Sequence, residues 1–498
     1  MLDPNTVIAW DAGATSYPET APFHPEESYP EYPFGSDGVG SPNPVYKAVR
    51  DMLHHAGMDE AAYGTPAWNP LGELVQPGNT VVLKPNLVIS EHPDGQAGIE
   101  AAIVHGSVLR PLIDYVYIAL KGSGRIIVAD SPIKEVEFER VLELTGIAGL
   151  KRFYDDASPL GLETLDFRDR YVERDHEHGN FMGEMTVLAG DPQGYTQVDL
   201  GSSSMFHDID QHHDRLRSTA VYYENVMDDF HSGGHHIYSI PNTLLQADVV
   251  ISVTKLKTHR KGGVTLSLKN AVGITNEKRS LPHHRVGSPK DGGDAVADNV
   301  RLDALLEDRF RDFMLSRPGG RTGLRLLGSP LRLMATRVVK PLFRRLSPNS
   351  PAIVEGDWYG NDTVWRMALD LNRVLLYTDK DGVLRDQPQR RYFSVIDGII
   401  AGEGEGPLFP TPKPCGALLM GLHPVLVDLV GSRLMGFDWR RIPMLREALA
   451  RQWPLPVATE PSKIDIKSNL SSWQRVFATE DTLFAFQPSA GWQGHIEL

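Results

Sequence analysis

The chain has 498 residues, 41% of them hydrophobic, which is enough to bury a sizeable core and to form two or three domains. Its formal charge of -14, from 64 acidic and 50 basic residues, speaks against general affinity for nucleic acid, which needs a cationic face. The lone cysteine, Cys415, excludes an internal disulfide, a four-cysteine zinc site and an iron-sulfur cluster held within the chain.

The first residues, MLDPNTVIAWDAG, show no basic leader followed by a long apolar run, and no stretch offers about 18 uncharged apolar residues. With the cysteine content, this reads as a cytoplasmic protein. VIAW (7–10) is a short strand, and the Pro-, Tyr- and acid-rich residues up to 43 read as an irregular wrap. Residues 44–150 form a first α/β part. In it, PVYKAVRDMLHHAG is a helix, TVVLKP a buried strand, VLRPLIDYVYIALKGSG a helix with a glycine stop, and GRIIVADSP another strand.

Residues 151–245 are rich in charge and histidine, with strand-like runs TQVDL, TAVYY and HIYSI, and read as a partly β insertion. Residues 246–312 return to α/β, with the apolar strand ADVVISV running into KLKTHRKGGVTLSLKN. Residues 313–350 have no acidic residue. They combine Arg317, Arg321, Arg325, Arg332, Arg337, Lys340, Arg344 and Arg345 with leucines at three- to four-residue spacing. That pattern is a basic amphipathic helical segment, which either lies on an anionic membrane surface through 317–346 or docks on the body of the protein. Residues 351–498 form a second α/β part, with helix TVWRMALDLNRVLLY, strand YFSVIDGII and helix HPVLVDLVGSRLMG. The fold class expected is therefore α/β, with a largely parallel sheet or sheets flanked by helices.

In parallel sheets, ligands gather beyond the carboxyl ends of the strands. This selects Lys84 and Asn86 after TVVL, Asp130 after RIIVA, and Lys255, Lys257, His259, Lys269 and Asn270 after ADVVISV. Gly262 and Gly263 let backbone approach a ligand, and the lysines suit phosphate or carboxylate. The Walker spacing is absent. His283, His284 and Arg285 lie on a loop punctuated by Pro and Gly; at most one of the two histidines is expected to serve as ligand or acid/base. His207, His212, His213, His231, His235 and His236 have no spacing that sets metal geometry and read as solvated or core residues. DGIIAGEGEGP puts Glu403 on a glycine-rich loop suited to a cation, an ammonium group or hydroxyls, and no helix follows directly as a dinucleotide fingerprint would require. Asn361 or Asp362 caps the next helix; Trp365 and Arg366 either pack or form a platform for a sugar or base.

The segments VVLKPNLV, ADVVISVTKLKTHRKGGVTLSLKNAVGI, LPHHRVGSP, GDWYGNDTVWRM, VIDGIIAGEGEGP and HPVLVDLVGSRLMGFD together resemble the DUF362 family, a domain of unknown function, from about residue 80 to 440. Many members carry ferredoxin-like cysteine clusters, and this chain departs from them. LPHHR and GNDTVWRM are similar to a subgroup found beside polysaccharide-assembly genes, which implies a sugar-nucleotide or lipid-phosphate ligand. A more distant resemblance is to the nickel-dependent lactate racemase family. It implies that Lys269 and a histidine serve a metal-bearing cofactor and that His259 and His283 or His284 move a proton.

The expected function is an enzyme that binds an anionic, phosphorylated or carboxylated and sugar-derived, small molecule. Lys84, Lys255, Lys257 and Lys269 hold the anion, and His259 or His284 serves as acid/base for isomerase- or epimerase-like chemistry. Asn86, Asn270, Asp130, Arg285, Trp365 and Arg366 bind or orient substrate. His259, His283, His284 and Glu403 are the candidate ligands of a divalent metal ion, should the chemistry be metal-assisted. The alternatives are a membrane-surface protein that presents a lipid- or nucleotide-linked sugar, and a metal or cofactor carrier.

Overall fold

The protein is described here by a computed structural model covering residues 2–35, 39–173, 185–219, 226–298, 355–456, 460–479 and 482–498. The basic segment 313–350, including the portion 317–346 considered for a membrane surface, lies outside the described residues.

The strands in chain order begin with β1 (Thr6–Asp11), β2 (Thr80–Pro85), β3 (Arg125–Asp130), β4 (Glu163–Asp166), β5 (Arg170–Val172) and β6 (Met185–Val187). Next come β7 (Tyr195–Asp199), β8 (Leu216–Arg217), β9 (His231–Ser232), β10 (His235–Pro241), β11 (Val249–His259) and β12 (Gly263–Thr265). The remaining four are β13 (His284–Arg285), β14 (Arg391–Glu405), β15 (Phe409–Gly421) and β16 (Asp465–Lys467). Nine of them form one sheet in the order β16-β1-β15-β14-β11-β2-β3-β4, with β12 folded back on β11. Along that path every neighbouring pair is parallel except the two that β15 makes, with β1 and β14. The expected α/β class with a largely parallel sheet is what the chain adopts.

The strands are continuous runs of Val, Ile, Leu and Ala because both faces of the sheet are covered. Side chains alternate between faces. Val81, Leu83, Ile126, Val128, Val249, Ile251 and Val253 pack with the helices Pro44–His55, Gly95–Ala102, Gly106–Leu120 and Ile147–Ala157. On the other side, Val82, Ile127 and Val250 meet the helix Val364–Tyr377. Ala9, Ile396 and Leu419 meet the helices Pro424–Leu434 and Pro443–Ala450. The Asn361 side chain caps Val364–Tyr377 by accepting from the amides of Thr363 and Val364, at 3.0 and 2.9 Å.

Four details differ from the sequence reading. First, β11 does not end at the apolar run. It continues through Lys255, Lys257 and His259, which are buried strand residues and not a basic loop, because β12 returns along one side and β14 follows on the other. Second, Glu403 belongs to β14, a long arm paired with β15 and not a flexible glycine loop. Third, β4, within the stretch read as an insertion, is a strand of the central sheet; the remainder of that stretch does hold small sheets, one ordered β7-β10-β9. Fourth, the strands of the two α/β portions lie in one sheet. No single described helix is long and apolar enough to cross a membrane, and the consecutive helices Gly95–Ala102 and Gly106–Leu120, which reach that length only together, are mostly buried.

The register between β11 and β14 slips after Lys255, which pairs with Asp397, while Lys257 pairs with Gly402. Asp397 is the last partner before the slip; it lies beside Lys255 and forms a fully buried ion pair with it at 2.8 Å. Tyr17, from the N-terminal wrap, donates to Asp397 Oδ1 at 2.6 Å and accepts from Lys255 Nζ at 2.7 Å. Its ring stacks on His105, with centroids 4.2 Å apart. A buried pair with every partner present is tolerated, whereas a buried charge left alone is costly. Asp397→Ala is therefore expected to destabilise the protein by about 3–5 kcal/mol, and Tyr17→Phe by about 1–3 kcal/mol. Chemical denaturation of both variants checks this.

Candidate functional site

Lys84 at the end of β2 and Asp130 at the end of β3 meet in a buried ion pair of 2.7 Å. Lys84 Nζ also donates to Asn270 Oδ1 at 2.9 Å, and the Asn270 amide nitrogen donates to Ser252 Oγ at 2.8 Å and to the Lys84 carbonyl at 3.1 Å. Asp130 Oδ2 accepts from the Leu87 amide at 2.8 Å. Three strand ends are thus tied together around one pair. Gly273 packs directly on it: a Cβ there would collide with Asp130 Oδ1 and Lys84 Nζ, so only glycine fits. Lys84, Asn270 and Asp130, expected to bind substrate, are the frame of the site. Lys255, held by Asp397, is likewise structural.

Beyond this frame the cations outnumber the carboxylates. Lys257 is fully buried and donates only to the carbonyls of Ala102 and Pro407. Lys278, in a short turn (Lys278–Ser280), donates to the Val272 carbonyl at 3.1 Å. Lys269, 7% exposed, has no hydrogen-bond acceptor and no carboxylate within 4.0 Å among the described residues. Lys261 is neutralised by Asp357 at 2.9 Å. Glu277, next to Lys278, is already taken by Arg279 at 2.7 Å and Lys134 at 3.4 Å, which hold its carboxyl down at about 2.

Burial and like charge act together on these amines. Burial, with the charges of Lys261 and Lys84, brings Lys269 down to about 7. Burial likewise lowers Lys278 to about 7, Asp130 opposing and Lys84, Arg168 and Lys269 assisting. Lys257 is pushed well below the ordinary lysine range by burial and by Lys255 and Lys269. Each would recover its charge beside an anion.

Two histidines face the same charges in opposite tautomers. His259 Nδ1 accepts from the amides of Lys261 and Gly262, at 3.0 and 3.1 Å, so the ring hydrogen sits on Nε2. His283 Nδ1 donates to the Leu281 carbonyl at 2.8 Å, which leaves a lone pair on Nε2. Burial and the neighbouring Lys269 hold both well below the usual histidine range, so both are neutral near pH 7. His259 is a hydrogen-bond donor and His283 a proton acceptor. The acid/base role expected of His259 or His284 thus fits His283 better. His284 is buried in β13, its backbone paired with Arg217.

The other expected residues are placed as follows. Asn86 directly follows β2, and among the described residues its buried Oδ1 has no hydrogen-bond partner, nor do the buried Ser131 hydroxyl and Asn276 Oδ1. Arg285, Trp365 and Arg366 gather instead around Asp362. Arg285 bonds its Oδ2 at 3.1 Å, Trp365 Nε1 its Oδ1 at 2.9 Å, and Arg366 forms an ion pair at 3.2 Å. With Trp365 buried, this group packs and is not an open platform. Glu403 accepts from Lys413 Nζ at 2.8 Å and the Gln487 amide at 2.9 Å. Among the described residues no three His, Cys, Asp or Glu side chains come together as a metal site. The quartet His259, His283, His284 and Glu403 is therefore not assembled.

The sequence reading missed Lys278 and the special place of Gly273. In NEKRS the charges looked solvated. The one available signal was position: Lys278 follows Lys269 closely across a short, glycine-containing stretch.

Residues 219–433 match the family model described as "Domain of unknown function (DUF362)". Lys257, His259, Lys269, Lys278 and His283 all lie inside the match, whereas Lys84 and Asp130 precede it. No significant match was found to any curated protein or solved structure.

Unpaired buried lysines cost stability. Lys269 titrates at about 7 when folded, against a usual 10.5 in the open chain; between those values the unfolded state binds more protons, so stability rises with pH. Lys269→Met should stabilise the anion-free protein at pH 7 by ~2–4 kcal/mol, the gain shrinking as pH approaches 10. Melting curves of both proteins across that range test the sign.

Proposed function

We propose that the protein is an enzyme that binds a small organic anion, carrying phosphate or carboxylate, at the carboxyl ends of β2, β3 and β11, and that moves a proton on it. The observation that carries this reading is the set of three buried lysines, Lys257, Lys269 and Lys278, with no carboxylate partner among the described residues. A fold that buries amines without counterions is incomplete until an anion arrives. The frame of Lys84, Asp130 and Asn270 holds the strand ends in place, so the donors are preorganised.

On such a ligand the two histidines divide the work by tautomer. His259 Nε2–H donates to an oxygen, and His283 Nε2 accepts a proton from a carbon made acidic by an adjacent carbonyl or carboxylate. Surrounding ammonium groups stabilise the negative charge that develops as the proton leaves. Isomerase or epimerase chemistry follows from those roles, because the proton can return at the same or the neighbouring carbon. A sugar-derived anion suits the hydrogen-bonding groups left free at Asn86, Ser131 and Asn276.

Anion binding should take up protons, since Lys269 and Lys278 are only partly charged near pH 7. Affinity for phosphorylated and carboxylated metabolites, read as a rise in melting temperature, should therefore be greater at pH 6.5 than at pH 8.5. Lys278→Ala should weaken it about 10- to 100-fold, the loss of one charge-assisted hydrogen bond. His283→Asn should leave binding within a few-fold but abolish exchange of substrate hydrogen with deuterated water. If no anion in a panel of sugar phosphates and carboxylates shifts melting at either pH, the reading fails.

A further inference from the structure

We propose that Lys269 is a covalent nucleophile, forming an imine with the carbonyl carbon of an aldehyde or ketone that also carries the anionic group bound at this site. The inference rests on the anion-binding reading and deepens it by naming the substrate class, an oxo acid or a phosphorylated oxo compound, and the atom that reacts.

Lys269 differs from the other buried lysines of the cluster in having no acceptor for its amine among the described residues. Lys84, Lys255, Lys257, Lys261 and Lys278 each bond at least one oxygen. An amine held by carbonyl or carboxylate acceptors is a hydrogen-bond donor; one without acceptors can present its lone pair. The turn that carries it, Ser267–Asn270, is fixed from behind. Asp428 accepts from the amides of Ser267 and Leu268, at 2.7 and 2.9 Å, and Asn372 donates to the Leu268 carbonyl at 2.7 Å. The backbone that carries the amine is thus held without any bond at the amine itself among the described residues.

The electrostatics agree with the geometry. With Lys269 titrating at about 7, burial and the cations Lys261 and Lys84 leave roughly half of it as free amine at neutral pH. Proximity of a second cation is one of the ordinary ways in which a lysine nucleophile is activated. The step balances without oxidant or reductant. The amine nitrogen attacks the carbonyl carbon, a C–N bond forms, and the C–O π pair moves to oxygen. The two amine hydrogens leave with that oxygen as water. Once protonated, the imine draws electron density from the neighbouring C–H bond, whose proton His283 Nε2 is placed to accept.

Two probes separate the sources of negative charge: pyridoxal 5′-phosphate, an aldehyde with a phosphate, and glyoxylate, an aldehyde with a carboxylate. Each is incubated with the full chain, reduced with borohydride and located by peptide mass mapping. Labelling of Lys269 by at least one probe, about tenfold or more faster than at the exposed Lys47 and Lys463, is expected. Its rate should rise through pH 7 and level off, and inorganic phosphate should slow it. In Lys269→Arg the label should vanish. The wild-type map decides between the outcomes even if that variant does not fold. Labelling of Lys269 no faster than of surface lysines in both arms, or a rate that climbs only toward pH 10, overturns the proposal. If phosphate still shifts melting in that case, the anion-binding reading survives; if phosphate shifts nothing and neither probe labels, both fall.

Discussion

The structure turns on the burial of the second half of β11. Ammonium groups do not enter a protein core without compensation, and here an apolar parallel strand runs straight into Lys255 and Lys257 with no change in burial. Asp397 compensates Lys255 in the regular β11/β14 register, Asp130 compensates Lys84 across the ends of adjacent strands, and Lys257 is left with backbone carbonyls. The N-terminal wrap is recruited to the same end by Tyr17, whose hydroxyl completes the first pair. Elements far apart in the chain are therefore held by one requirement, the satisfaction of buried charge.

That requirement is met for some lysines and left unmet for others, and the difference separates frame from site. Lys84 and Lys255 have carboxylates at ion-pair distance; Lys257, Lys269 and Lys278 have none among the described residues. A uniform solution, with a carboxylate for each amine, would have been more stable. The chain instead keeps Glu277, the sequence neighbour of Lys278, engaged with Arg279 and Lys134. On the proposed reading, stability is given up where a ligand's charge would be received, as expected of a site preorganised for a charge it does not itself contain.

The strands and main helices were legible in the sequence because their signals are local: apolar runs such as RIIVAD, and helical spacing in VWRMALDLNRVLLY. The region of the site was legible too, since Lys84, Asp130 and the KLKTH stretch all follow apolar strands. What each lysine does there was not. Whether Lys255 binds a ligand or a carboxylate depends on Asp397, more than a hundred residues away, and on the pairing of β11 with β14, which no local pattern reports. Glu403 looked like a loop carboxylate because its glycine neighbours suggested a turn, whereas β15 pairs with the whole arm. Arg285, Trp365 and Arg366 looked like separate binding groups, but Asp362 collects all three.

The histidines show how backbone geometry can assign chemistry that residue type leaves open. His259 and His283 are both buried among the same ammonium groups, and neither is charged near pH 7. A free imidazole interconverts its tautomers, so either could in principle donate or accept. The tight turn after β11 brings two amide hydrogens to His259 Nδ1 and fixes its hydrogen on Nε2. The Leu281 carbonyl does the reverse for His283. One donor and one acceptor result from the same side chain at two positions, with no change in protonation needed to tell them apart. It follows that the groups titrating near neutrality here are Lys269 and Lys278 and not the two histidines, so on the proposed reading ligand affinity and amine reactivity would be set by how many buried ammonium groups the fold leaves without partners.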